Sequence, residues 1–394
     1  MVLREVTVPQ THPLGQEAEV DFGMVTFYLD GLLTEGWMFV MRLSASGRGF
    51  HRVYLNQAQQ VFLDGHVRAF EHFGGVPNLR IRYDNLKPAV TRVLKGRDRL
   101  ETERFVAMRS HYGFDSFFCI PGKDGAHEKG GVEGEVGRFR RRHLVPMPKV
   151  ASMEELNDLV AAGDVRDDHR RIFGRPITVG AHFEIEAPEL RPLPAVRFDT
   201  TLLLHPRVDT KSRVCVRQCF YSVPVRFAGR RIDVRLGAER VDAVDGGAVV
   251  ARHARAVAKG TEVLVLDHYL EVFKLKPGAF PGATALARAR ASGAFTAVHD
   301  EFWDAARKKL GDAGGTRALV DVLLAHRSLP RDALLAGMQA ALKVGSVDPE
   351  IVIIEARKAE ERAVAPVVPI GALARYDRPK PTLDGYDNLL EASS

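Results

Sequence analysis

Three stretches of β-branched, aromatic and aliphatic residues follow one another near the start of the chain. The first contains Val20 and Met24-Val-Thr-Phe-Tyr-Leu29, the second is Trp37-Met-Phe-Val-Met-Arg-Leu43, and the third is Gly49-Phe-His-Arg-Val-Tyr-Leu55. Asp30-Gly31 and other glycine-containing turns separate them, so the pattern predicts an antiparallel meander. From Gln57 to Phe73 the period changes. Val61, Phe62, Leu63, Val67, Phe70 and Phe73 share one helical face, and Gly74-Gly75 supplies a stop. Leu79–Tyr83 alternates as a strand, Glu101–Tyr112 reads as a helix, Asp115–Ile120 as a fifth strand, and Val132–Leu144 as a basic helix after a glycine-rich segment. The order β-β-β-α-β-α-β-α predicts an α/β fold: a mixed five-stranded sheet with helices on both faces.

Downstream, Met153–Ala162 reads as a helix and Arg166–Arg175 as a charged connector. Pro188, Pro192 and Pro194 mark a linker. Short Val/Arg alternations between Phe198 and Lys259 then suggest a small β-barrel of about 60 residues. Past Pro277-Gly278 an Ala-, Leu- and Arg-rich pattern is helical to about Glu361, and the proline-bearing tail from Val364 reads as mostly disordered. The expected division is residues 1–150 for a catalytic core, 151–197 for a helical connector and linker, 198–260 for the barrel, 261–362 for a helical region and 363–394 for the tail.

Composition narrows the class. The 394 residues carry a net charge of +6 and a pI of about 9.2, and the three cysteines are too few for a disulfide framework. Cys215 and Cys219, four apart on an expected strand, would lie about 13 Å apart, too far to share a zinc. No apolar run approaches the roughly 20 residues that span a bilayer. The expectation is a cytoplasmic protein, nucleoid-associated, with no membrane partner.

Three acids stand out. Asp21 sits inside the first strand, where Asp is depleted. Asp84 follows the fourth strand, and Glu133 lies near the start of the basic helix. Each has an ordinary alternative: a hydrogen-bonded turn for Asp21, an Asx turn for Asp84-Asn85, and a favourable helix N-terminal acid for Glu133. Brought together, three carboxylates repel unless a cation sits between them. An all-oxygen donor set with open positions suits Mg²⁺, and two such ions roughly 3.5–4 Å apart clamp an in-line phosphoryl displacement. Glu128 and Glu135 are rivals to Glu133. Glu128 falls in the loop, and Glu135 points roughly 200° around the helix from Glu133, so Glu135→Gln should be mild.

The wording around these acids resembles the catalytic core of the IstA-type bacterial transposases, a branch of the ribonuclease-H-like DD(E) superfamily that includes retroviral integrases. The carriers are Glu-Val-Asp21-Phe-Gly, Arg-Tyr-Asp84-Asn-Leu-Lys-Pro-Ala-Val and Lys-Gly-Gly-Val-Glu133, with Ala69-Phe-Glu-His-Phe-Gly-Gly-Val-Pro77, Tyr221-Ser-Val-Pro224 and Arg252-His253-Ala-Arg255 in order behind them. Phe22 stands where family members commonly carry Trp. The resemblance implies a ribonuclease-H-like core in which Asp21, Asp84 and Glu133 hold two Mg²⁺ ions, with Mn²⁺ able to substitute, for strand cleavage at a transposon end and transfer of the 3′-hydroxyl to target DNA. It also implies DNA and a second copy of the chain as partners, and an IstB-type AAA+ ATPase helper. Family members begin with helix-turn-helix domains, whereas here Asp21 falls early, so this chain alone is expected to bind end and random duplexes almost equally.

The expected DNA-backbone contacts are Lys87, Lys129, Arg138, Arg140 and Arg141 around the core, and Arg213, Arg217, Arg230 and Arg231 in the barrel. Arg140 lies on the Glu133 face of the basic helix, together with Val136 and Gly137. Two other functions fit the same residues: a ribonuclease-H-type nuclease that cuts without joining, and a truncated, catalytically idle DNA-binding relic.

Overall fold

A long hairpin organises the structure, a computed structural model that describes residues 11–83, 90–93, 99–119 and 134–364. Strands β1 (Glu17–Leu29) and β2 (Leu32–Leu43) pair antiparallel along their whole length around the Asp30-Gly31 turn, and β3 (Gly49–Tyr54) pairs with β2. Helix α1 (Gln59–Phe73) follows, ending at Gly74 in the left-handed conformation with φ 70°, where a side chain would be strained. Strand β4 (Arg80–Tyr83) then returns parallel to β1 on its other side.

A small hairpin, β5 (Val90–Val93) and β6 (Arg99–Glu101), leads to α2 (Glu103–Tyr112). Strand β7 (Asp115–Phe118) pairs parallel with β4. After α3 (Glu135–His143), the two-residue β8 (Lys149–Val150) adds to the far end of β1, and α4 (Met153–Asp167) follows. The sheet order is β3-β2-β1-β4-β7, with β8 paired to β1 as a sixth strand. The mixed α/β expectation holds, and β8 is an addition to it.

Alternation along the strands decides what lies on each face. Ala18, Val20, Phe39 and Met41 pack with α1 and α2, while Val25, Phe27, Met38 and Val40 pack with α3 and α4. Both faces are therefore covered by helices, as a sheet with central parallel strands requires.

The segment expected as a barrel follows α5 (Val179–Glu186) and differs in two respects. Strands β9 (Leu202–Leu204), β12 (Asp233–Leu236), β13 (Arg240–Asp245) and β14 (Ala248–Ala254) form one sheet. Strands β10 (Arg213–Val216), β11 (Cys219–Ser222) and β15 (Glu262–Val263) form another. Two sheets thus share one core built on Val214, Tyr221, Phe227, Val234 and Val241, with no closed ladder among the described residues. Strand β13, absent from the expected set, breaks the alternation at a register shift between Ala243 and Val244, both buried, and carries two aspartates, which are depleted in strands. Cys215 and Cys219 lie on neighbouring strands of a hairpin, not along one strand.

Residues up to Val263 form one compact unit, and those from Leu264 a second. The second is helical: α6 (Leu270–Leu275), α7 (Thr284–Ala291), α8 (Ala297–Leu324), α9 (Arg331–Lys343) and α10 (Pro349–Val364) enclose a core of their own. Helix α8 breaks at Gly311, and the Trp303 indole N–H donates across the break to Thr316 Oγ1 at 3.0 Å. Among the described residues no helix is long and apolar enough to cross a membrane.

One core polar pair has a measurable consequence. His66 is fully buried in α1, with Nδ1 2.7 Å from the Phe62 carbonyl and Nε2 2.9 Å from the Tyr83 hydroxyl. The neutral ring satisfies both, donating to the carbonyl and accepting from the phenol. Burial pushes its pKa down to about 3. The unfolded chain takes up that proton near pH 6.5, so the stability contributed by neutral His66 is complete above that pH and lost as pH falls towards 3. The wild type is expected to lose up to about 1.4 kcal/mol per pH unit more than His66→Gln over this window in urea unfolding. Equal slopes in the two proteins would overturn the assignment.

Candidate active site

Asp21 lies mid-way along β1, opposite Val40 of β2. Its register neighbour Val40 and its alternation partner Val25 belong to the core beneath α3 and α4, so Asp21 shares that face. It is half-buried, and its Oδ1 accepts the Phe22 N–H at 2.8 Å. The parallel pairing of β1 with β4 matches Val20 to Tyr83, so the residue before Asp21 is in register with the residue before Asp84. Asp84 and Glu133 themselves lie outside the described residues, as do Lys87, Lys129 and Glu128.

Helix α3 begins two residues after Glu133 and sits directly on this part of β1. A Cβ placed on Gly23 would lie 2.3 Å from Val136 Cγ1, so only glycine admits the helix at this distance. Arg140, one turn on, donates from Nη1 to the Met24 carbonyl at 3.0 Å. The Val136–Arg140 face of α3 is thus turned onto the strand that carries Asp21.

Glu135 sits in a buried ionic cluster. It is 4% exposed and ion-paired to Arg138, which also grips Asp167 of α4. His143 Nε2 lies 2.8 Å from Asp167 Oδ1. His51 of β3, stacked on Phe139 at 3.9 Å, places Nδ1 2.6 Å from Asp164 Oδ1 and Nε2 3.8 Å from Glu135 Oε1. Burial works to raise the carboxyl pKa of Glu135 and of Asp167, but Arg138 outweighs it and holds both below the usual carboxylate range. The cluster clamps α3 to α4 and β3. Among the described residues, no three His, Cys, Asp or Glu side chains are grouped so that they could hold a metal ion.

Similarity to known proteins extends along most of the chain. Residues 193–265 match the C-terminal domain of Mu transposase. A transposase of Aminobacter aminovorans is 30% identical over 361 residues, covering 88% of this chain and 68% of its own length. The chain belongs to the transposases. A Pseudomonas aeruginosa transposase for the insertion sequences IS1326/IS1353 is 31% identical, with 86% of this chain and 66% of that protein covered. This chain therefore spans about two thirds of the length of these relatives. Among solved structures, the catalytic core domain of HTLV-2 integrase aligns with 44% of this chain and 99% of its own, at 9% identity and a TM-score of 0.31.

Within the transposase, the arginines expected to meet DNA occupy different settings. Arg138 is committed to the buried cluster. Arg141 is exposed on α3. Arg213 pairs with Asp209 and Glu262 and lies over the Phe220 ring. Arg230 is exposed above Phe227, 3.8 Å from Asp245, and the exposed Arg231 donates to the His205 carbonyl at 3.1 Å. Arg217 is exposed at the tip of the β10–β11 hairpin.

Sequence reasoning missed His51, Asp164 and Asp167. Only the period-2 placement of His51 with buried Val53 marked it as an inward residue. The spacing of Gly23 to Val136 is equally invisible in sequence, and it yields a direct test. Gly23→Ala is expected to cost about 1–3 kcal/mol in urea unfolding, and Val136→Ala in the same chain should recover part of that loss. A single variant as stable as the wild type would mean that α3 is not seated through this contact.

Proposed function

We propose that this chain is a DD(E) transposase with a ribonuclease-H-like core in which Asp21, Asp84 and Glu133 form one site. The observation that supports the reading is convergence on one stretch of β1. The β1–β4 register brings the strand leading into Asp84 beside Asp21, and the Gly23–Val136 contact brings the helix that follows Glu133 onto the same strand. The three side chains offer only hard oxygen donors, which fits Mg²⁺, with Mn²⁺ as substitute. Two ions held there would stabilise charge on the attacking and leaving oxygens of a phosphodiester.

Cleavage is a hydrolysis in which a water oxygen bonds to phosphorus and the 3′ oxygen leaves as a hydroxyl. Joining is a transesterification: that hydroxyl forms a new bond to a target phosphorus and displaces another 3′ oxygen, with no covalent protein intermediate. The chain's own residues orient the site, since α3 is held to β1 by Val136 and Arg140 and to α4 through Glu135 and Arg138. Two DNA ends require two sites, and the helical second unit is the segment available for pairing copies.

The test uses pre-cleaved duplex ends carrying a free 3′-hydroxyl, a supercoiled plasmid, and Mg²⁺ or EDTA. Joined product in Mg²⁺ but not in EDTA is the expected result. Bound DNA with neither cutting nor joining would leave only a DNA-binding protein, and cutting without joining would make it a nuclease.

A further inference from the structure

Where the start of α1 meets the β10–β11 hairpin and the chain after β14, the first unit contains an open cleft of about 420 Å³. Its polar lining is Asn56, Gln59, Gln60, Arg217, Tyr221 and Arg255, and no carboxylate lines it. Three nearby arginines, by contrast, have carboxylate partners: Arg52 has Glu239, Arg68 has Asp64, and Arg213 has Asp209 and Glu262. Among the described residues, neither Arg217 nor Arg255 has a carboxylate partner.

Arg255 is partly buried and fixed in place. Its Nη1 donates to the Gly237 carbonyl at 2.7 Å and to Gln60 Oε1 at 3.4 Å. Burial holds its pKa below the usual guanidinium range, and the charge of Arg217 pushes in the same direction. A second cation beside a desolvated one is unfavourable unless an anion joins them. The amides are also set as donors. Asn56 Oδ1 accepts from the Ala58 N–H at 2.9 Å and Gln60 Oε1 accepts from Arg255, which leaves each side-chain NH₂ for a ligand.

The hairpin tip adds an independent sign. Arg217 and Gln218 have φ of 50° and 66°, a left-handed pair that such two-residue turns normally fill with Asn and Gly. Holding two larger residues in that conformation costs about 1–2 kcal/mol each, and strain of this kind accumulates at binding sites.

We propose that this cleft binds a phosphate group of the DNA backbone, with Arg217 and Arg255 as charged donors and the Asn56 and Gln60 amides as neutral ones. The proposal rests on the reading of the chain as a DNA-acting transposase. The contact fixes position on the duplex without reading sequence. A free phosphate would satisfy the same donors, so the experiment must separate the two sources.

The full chain is titrated with a labelled random duplex over a series of salt concentrations, comparing wild type, Arg217→Asn, Arg255→Gln and, as a control on α10, Arg357→Gln. Each cleft variant should flatten the plot of log K against log[salt] by about 0.9 for the lost phosphate contact, while Arg357→Gln keeps the wild-type slope. Asn tolerates the left-handed turn, so Arg217→Asn carries the test even if Arg255→Gln does not fold. Wild-type slopes in both cleft variants would overturn the proposal while leaving the transposase reading standing. A melting temperature raised by inorganic phosphate in the wild type but not in Arg255→Gln, with unchanged DNA slopes, would reassign the cleft to a free anion. No DNA binding by the wild type at any salt would overturn this proposal and the DNA-acting reading together.

Discussion

Asn at position 21 is expected to lower Mg²⁺-dependent cleavage and joining by about 10³-fold or more, with DNA affinity unchanged within about twofold. The substitution keeps the shape of the side chain and removes its charge, so the proposed metal site loses a ligand while no proposed phosphate contact is touched. Losing one ligand from a site that stabilises the transition state by several kcal/mol accounts for that magnitude. Asp84→Asn and Glu133→Gln should behave in the same way. Stability separates this from a folding defect. Removing one of three mutually repelling carboxylates should leave the melting temperature equal or raised in metal-free buffer. An Asp21→Asn protein that joins strands at the wild-type rate would remove Asp21 from the site.

Glu135→Gln is expected to be severe for a different reason. Sequence spacing pointed Glu135 away from Glu133, which suggested a mild variant. The structure agrees that it points elsewhere, but into a buried cluster where Arg138 depends on it. Breaking a buried charged hydrogen bond from one side costs about 1–3 kcal/mol, and Arg138 keeps Asp167 as a second partner, which holds the loss below that of a wholly uncompensated charge. Urea unfolding should register that loss, and strand joining should fall in proportion to the folded fraction. Activity should return when the assay is cooled or supplemented with a stabilising osmolyte, whereas Glu133→Gln should stay inactive under every such condition. Unchanged stability in Glu135→Gln would show that the cluster is held without it.

The contrast between these two variants marks what could be read from residues alone. Local periodicity is decided by neighbours in the chain, so β1 to β3, α1 and α2 were legible from alternation and turn residues, as was the mixed sheet. The face that Asp21 occupies follows from the same alternation once Val40 is known to lie opposite. Long-range pairing is a different matter. Nothing near His51 or Glu135 announces Asp164 or Asp167, which arrive from another helix. Strand β13 was hidden because two aspartates broke its composition. The turn between Cys215 and Cys219 was hidden because Arg217-Gln218 lacks the glycine or asparagine that usually marks left-handed backbone. Where function or a distant partner overrides local preference, local rules fail.

The two partners of β1 differ in how soon they can reach it. The β1–β2 hairpin closes around a two-residue turn and can form within microseconds of its residues becoming available. The strand that leads into Asp84 pairs with β1 only after some sixty residues have intervened, and α3 must return across a longer span still. Loop closure makes such contacts late. A nascent or partly unfolded chain therefore displays Asp21 on a finished hairpin without its companion acids. On the proposed function this order of assembly acts as a safeguard, since the segments next to Asp84 and Glu133 reach β1 only as the last contacts of the fold are made.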